Sequence, residues 1–245
     1  MGDPNVQALW RLARRQHGVL SRRQLLDAGI SAKAIKHRVT KGRLHRLHVG
    51  VYAVGWPEPT RHGRWMAAVL ACGSGSALSH ASAAALLGIA DWEKVVTISV
   101  PPTIRPRRCA FRVHRVQLAA ADLTVHDRVP VTSPARTLID LATEFSPKRL
   151  ERAVSQADKL GLIDPEALRA ELAQRPGTRG VPALRRLLDR DTFVLTESEL
   201  ERRFLPIARR AGLGLPETGV SVNGFAVDFF WRDLGLVVET DGLAY

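Results

Sequence analysis

Four acids in the last quarter of this 245-residue chain, Glu201, Asp228, Glu239 and Asp241, have the types and spacing to do chemistry. A turn over Arg232 to Gly235 that closes symmetrically sets Trp231 opposite Leu236 and, in the same register, Asp228 opposite Glu239. Carboxylates directly opposite on an antiparallel pair have Cβ atoms about 5 Å apart, and like charges so placed destabilise a sheet. A divalent cation removes that penalty. Asp241 shares the face of Glu239, and Glu201 stands at the edge of a helical apolar stripe, able to point toward the sheet.

The elements that must hold these acids are legible. Thr196 and Glu199 have capping-box spacing at a helix start. Leu200, Phe204, Ile207, Ala208 and Ala211 form that helix's buried stripe, with Pro206 inside it. Asn223-Gly224 predicts a two-residue hairpin turn. The run Leu236-Val237-Val238 predicts a strand buried on both faces. On this reading alone, the acids serve either a cation or a turn and helix caps.

With Ser198, Leu200, Glu201, Phe204, Val227, Asp228, Phe229 and the run Val238-Glu239-Thr240-Asp241-Gly242, the segment from Thr196 to Tyr245 resembles the uncharacterised domains related to very-short-patch-repair (Vsr-like) endonucleases. The resemblance implies a restriction-endonuclease-like core in which Asp228 and Glu239 hold Mg²⁺, Glu201 supplies a further ligand, and the metal polarises phosphate and activates water. The catalytic candidates are Asp228, Glu239, Asp241 and Glu201; the metal-ligand candidates are Asp228, Glu239 and Glu201. Asp241 takes the place where the general motif has Lys, which leaves a ligand or water-orienting role. Family members continue with a His, a basic helix and another strand, none of which follows here, so the core is expected to be partial.

Charge divides the chain. Of the formal net charge of +12, residues 1–60 hold a surplus of +8, eleven Lys or Arg against three acids. Residues 192–245 hold eight acids against five Lys or Arg. A basic surface suits a polyanion. Within the basic end, Val6, Leu9, Trp10 and Ala13 predict a helix stopped by Gly18. Ser21 caps a second helix ended by Gly29, and Ser31 caps a third with Lys33, Lys36, His37 and Arg38 around its polar face. After Gly42 a strand pattern broken at Gly50 predicts a β-hairpin wing. In a winged helix-turn-helix the third helix enters the major groove while cations on the wing and helix ends sit on phosphates. The DNA-binding candidates are Arg22, Arg23, Lys33, Lys36, His37, Arg38, Arg43 and Arg46. His45 and His48, three apart on a strand, point to opposite faces and make no metal site.

Gly18-Val19-Leu20-Ser21, Gly29-Ile30-Ser31, Gly42-Arg43-Leu44 and Gly50-Val51-Tyr52-Ala53 resemble the N-terminal domain of AbiEi-type antitoxins. That resemblance implies operator binding, autoregulation and a toxin of nucleotidyltransferase type encoded nearby.

The middle of the chain carries less chemistry. Trp56-Pro57-Glu58-Pro59 predicts a linker. Ser133-Pro134, Ser146-Pro147 and Asp164-Pro165 predict three helix starts, each a capping residue before a first-turn proline. Arg136 and Asp140 have i,i+4 spacing for an ion pair, and the run Val129 to Asp140 resembles a linker region of antitoxin-like proteins. Gly73-Ser74-Gly75-Ser76 lacks the ending of a phosphate loop and reads as a turn. His80 and His114 read as isolated. Arg105, Arg107, Arg108, Arg112 and Arg115 form either an extension of the DNA-contacting surface or a solvated loop. Cys72 and Cys109 indicate neither disulfide nor zinc, and no apolar run approaches the ~20 residues of a membrane span. A cytoplasmic protein without membrane attachment is expected.

The expected fold is α+β: a winged helix-turn-helix over residues 1–56, a middle α/β linker domain over 57–191, and a partial restriction-endonuclease-like α/β core over 192–245. Two functions compete. One is an antitoxin-like transcriptional regulator with duplex DNA and a toxin as partners. The other is a Mg²⁺-dependent DNA endonuclease in defence or repair, of which this chain is a truncated form.

Overall fold

The computed structural model describes residues 4–106, 110–188 and 199–240. Contacts group the chain into two compact units, Met1–Asp140 and Leu141–Tyr245. The fold is α+β, with three sheets among the described residues.

The first unit begins with helix α1 (Pro4–Arg15), strand β1 (Val19–Ser21), α2 (Arg22–Asp27), α3 (Ala32–Thr40), β2 (Leu44–His48) and β3 (Val51–Val54). Ser21 and Gln24 form a complete capping box at the start of α2, and the Ser31 hydroxyl accepts from Ala34 N at 3.2 Å to start α3. Each cap satisfies backbone donors that a short helix cannot pair internally. The helices close over Leu9, Ala13, Leu20, Leu25, Ile30, Ile35 and Leu44. The expected wing is β2 and β3, joined through Val49 and Gly50, the latter at φ +74°. The sequence reading omitted β1, which completes a sheet in the order β1-β3-β2. Pairing of Val19 with Ala53 and Ser21 with Val51 puts one face of this sheet toward the next core.

That core is built by α4 (Arg61–Cys72), β4 (Ala77–Leu78), α5 (His80–Leu86), β5 (Thr97–Val100), β6 (Arg112–Arg115), β7 (Leu123–His126), β8 (Val129–Thr132) and α6 (Pro134–Leu141). The strands form a sheet in the order β6-β5-β4-β8-β7, in which β5/β6 and β4/β8 are parallel. β5 is buried at all four positions, as a central strand covered on both faces must be. Trp65 is wholly buried, in one cluster with Val19, Val51 and Ala53 of the winged helix and Leu78, Ile98, Val100 and Val131 of the sheet. The basic module and the sheet therefore share a core. The run read as linker-like, Val129 to Asp140, is a core strand followed by a helix. At the β7–β8 turn, Asp127 and Arg128 have φ +45° and +63°, the primed geometry that matches strand twist. His17 Nε2 lies 2.7 Å from the Asp127 carbonyl and His62 Nε2 3.3 Å from its carboxylate.

The second unit holds α7 (Pro147–Lys159), α8 (Pro165–Ala173), α9 (Val181–Leu187), α10 (Glu199–Arg210), β9 (Glu217–Val222), β10 (Phe225–Trp231) and β11 (Leu236–Val238). The three proline-led starts are found at α6, α7 and α8. Asp164 accepts from the Glu166 and Ala167 amides and Ser133 from Arg136 N, whereas Ser146 makes no side-chain cap bond. Leu205 and Ala208 of α10 pack on Phe229 and Trp231 of β10. Asn223-Gly224 is the predicted tight turn, at φ +52° and +89°. β11, expected to be buried on both faces, is instead a three-residue edge strand with Val237 37% exposed. The capping box of Thr196 and Glu199 lies outside the described residues. Among the described residues no helix is long and apolar enough to cross a membrane.

Candidate nucleic-acid interface

Ile35 turns into the core of the winged helix, which obliges the other side of α3 to face out. Lys33, Lys36 and His37 are exposed there, while Arg38 is half-buried and donates to the Ala34 carbonyl at 3.4 Å. Arg22 and Arg23 are exposed on α2; Arg23 lies 3.8 Å from Asp27, an ion pair between side chains 88% and 70% exposed, which is worth little. Arg22 N donates to the Gly50 carbonyl at 2.7 Å, tying the start of α2 to the wing turn. Arg43 and Arg46 are exposed at the base and on the strand of the wing. All eight candidates thus belong to one small module. A β-bulge between Arg46 and His48 breaks the wing's alternation, and His48 stacks edge-on against Phe111 at 5.2 Å. Burial pushes the His48 ring below the ordinary imidazole pKa. Arg107 and Arg108 lie outside the described residues, and Arg112 and Arg115 are on β6.

At the acidic end, Trp231 pairs with Leu236 and Phe229 with Val238. Carried one position beyond the last of these pairs, the same register would set Asp228 opposite Glu239, which lies past the end of β11. Asp228 is half-buried, and its Oδ2 accepts from Thr240 N at 2.6 Å and Thr240 Oγ1 at 2.7 Å. Glu239 is exposed just past the end of β11. Val227, Phe229 and Trp231 are the buried set of β10, so Asp228 belongs to the alternate face, away from the residues that α10 covers. The Glu201 backbone is helical in α10; Asp241 lies outside the described residues. Among the described residues Asp228 and Glu239 join no cluster of three metal-ligating side chains. Asp228 is already held by Thr240, and the side chains of Glu201 and Asp241 lie outside the described residues. At the other end of the sheet, Arg232 Nε and Nη2 donate to the two Glu217 carboxylate oxygens at 2.8 Å each, and these bonds hold the Glu217 carboxyl below its usual range.

Sequence reasoning missed a buried polar group in the first unit. His80 and His114, read as isolated, stack with ring centroids 3.9 Å apart. His80 Nδ1 is 3.8 Å from Asp140 Oδ2, and Arg136 links Asp140 to Asp122, whose Oδ2 it approaches to 3.8 Å. Burial pushes the Asp140 carboxyl up, against the pull of Arg136. His80 sits at φ +51°, a strained conformation for a non-glycine residue. The residues are far apart in sequence, and only the i,i+4 spacing of Arg136 and Asp140 signalled any part of the group.

Comparison with known proteins bears on the basic module and on the chain as a whole. Residues 7–55 match the family described as a transcriptional regulator, AbiEi antitoxin. The uncharacterised proteins Rv2248 and MT2308 of two Mycobacterium tuberculosis strains are each 31% identical over 219 residues, covering 85% of this chain and 77% of theirs. The crystal structure of the RV2827C protein from the same species aligns over 69% of this chain and 80% of that one, at 22% identity and a TM-score of 0.36. The chain belongs to the family of the two 31%-identical mycobacterial proteins, and within it residues 7–55 form a domain of the AbiEi antitoxin, transcriptional-regulator type.

Proposed function

We propose that this protein is a DNA-binding transcriptional regulator of antitoxin type. The observation that carries the reading is α3: its Lys33, Lys36 and His37 are exposed opposite the buried Ile35, with Arg43 and Arg46 of the wing exposed in the same module. A helix of this width fits the major groove and reads base edges, while wing cations neutralise phosphates. The antitoxin-type family match supports the same assignment and, by extension, a toxin partner of nucleotidyltransferase type encoded nearby. The test is fluorescence anisotropy of the full chain on duplexes from its own upstream region and on scrambled duplexes, across a salt series. Affinity should fall linearly in log–log with salt as counterions are released, and the upstream duplex should be preferred. No binding at low salt would overturn the assignment.

A second reading, a metal-dependent endonuclease, is favoured by the β10–β11 register, which, carried one position past Phe229 and Val238, would set Asp228 opposite Glu239. Cleavage of plasmid DNA in Mg²⁺ by the present chain, lost in Glu239→Gln, would establish it.

A further inference from the structure

β7 is an edge strand of the five-stranded sheet. In an antiparallel pair, residues that exchange both backbone bonds alternate with residues that exchange none. Val125 pairs with Pro130, which has no N–H, so this is a pair of the second kind, as is Leu123 with Thr132 two positions away. The N–H and C=O of Val125 and the C=O of Leu123 therefore point away from β8, while the Leu123 N–H is spent on the Ala120 carbonyl. Among the described residues these three outward groups have no hydrogen-bond partner. β7 also carries no Lys, Pro or bulge, the usual devices that blunt an edge. Val125 is 65% exposed.

This edge borders a groove of about 830 Å³, whose lining includes Val125 of β7, Arg23 and Asp27 of α2, Val69 and Leu70 of α4, and Ser76. Ser76 is 5% exposed, and among the described residues its hydroxyl has no hydrogen-bond partner. That hydroxyl is closed off from the groove, so it takes no part in holding an occupant. Arg23 and Asp27 face each other at 3.8 Å, so the lining offers no unbalanced charge. Its electrostatic complement is an uncharged occupant.

We propose that the groove is a strand-addition site, in which an uncharged extended peptide segment of a partner protein pairs with β7. An acceptor, a donor and an acceptor spaced along one strand edge match the backbone of another strand, the means by which sheet edges capture extended peptides. The segment's N–H groups bond the Leu123 and Val125 carbonyls, and its C=O takes the Val125 N–H. A second copy of this chain fits less well, because it would bring a whole sheet into a groove with α2 in its lining. The proposal does not rest on DNA binding, although Arg23 belongs to both surfaces.

The test pans a phage-displayed library of linear heptapeptides against the full chain and measures the selected peptides, fluorescein-labelled, by anisotropy. Peptides with alternating uncharged apolar residues should be enriched. Val125→Pro should weaken their binding roughly tenfold, the scale expected for lost edge hydrogen bonds, whereas Val125→Thr should bind as the parent does. Val125→Pro removes no bond to β8, since proline is tolerated where an edge N–H faces outward; unchanged exchange protection of the Thr124 amide confirms that the hairpin survives. In the parent chain, exchange of the Val125 amide should slow when peptide is added. Failure to enrich any peptide, equal binding by Val125→Pro, or a dimer in light scattering that Val125→Pro dissociates would each overturn the proposal, the last by making the occupant a second copy.

Discussion

Arg136 donates from both Nε and Nη2 to a single oxygen of Asp140, Oδ1, at 3.0 and 2.9 Å, and both side chains are more than nine-tenths buried. The i,i+4 spacing alone suggests a surface pair worth a few tenths of a kcal/mol. Burial changes the scale. Removing the cation takes its charge from two buried carboxylates, Asp140 and Asp122, so Arg136→Met should destabilise the protein by about 3–5 kcal/mol in urea unfolding. Arg136→Met with Asp140→Leu should recover part of that loss. A cost of only a few tenths for the single substitution would mean that the network is not closed in solution.

DNA affinity should respond to the exposed cations rather than to every cation of the module. Lys33→Ala with Lys36→Ala should weaken binding about uniformly across sequences if both contact phosphate, and should lower the salt slope by about one per contact. If Lys36 instead reads a base, its loss should cost about 1–3 kcal/mol and relax specificity. Competition anisotropy with operator and scrambled duplexes separates these outcomes.

The His48 ring prefers to be neutral in the fold because burial lowers its pKa. A depressed pKa means that the unfolded chain binds the proton more readily, so this contribution to stability is intact above the ordinary imidazole value of about 6.5 and is lost as pH falls through the folded value. Urea midpoints should decline from pH 7 toward pH 5, and His48→Gln should flatten that decline. An identical pH profile for the variant would remove His48 from the account.

Thr240 closes onto Asp228 through its backbone amide and its hydroxyl. Thr240→Val deletes one of two bonds to a carboxylate and should cost about 1.5–3 kcal/mol if the second unit unfolds as a whole. The regulator reading also expects no Mg²⁺-dependent nicking of plasmid by the present chain. Robust nicking abolished by EDTA would favour the nuclease instead.

The elements that announced themselves in the sequence are those with local causes. Ser21 with Gln24, Asp164 with Pro165, and Asn223 with Gly224 each fix a helix start or a turn through neighbours a few residues away. The register of Trp231 against Leu236 followed from counting out of one turn. β1 and β4 escaped because three and two residues are too short to show a period. The run Val129 to Asp140 reads as a linker by its resemblance to antitoxin-like proteins, whereas Val129–Thr132 is strand β8, in which the missing N–H of Pro130 falls where the ladder needs none. His80 meeting His114 is a product of topology, since β5 pairs in parallel with β6 and brings distant residues together. No local pattern encodes such a meeting. The cations of α3 look alike in the sequence, but burial separates Arg38 from Lys33 and Lys36, and that distinction needs packing.

The Trp56 to Pro59 segment has the composition of a flexible tether, yet Val19, Val51 and Ala53 on one side of it share a core with Trp65 on the other. A protease that nicks this segment would leave two pieces still joined by apolar contact, with no free winged helix diffusing away. Residues 1–60 expressed alone would present that face to water and tend to self-associate. The module that carries α3 is therefore one piece with the body below it, and disturbing Trp65 should loosen both.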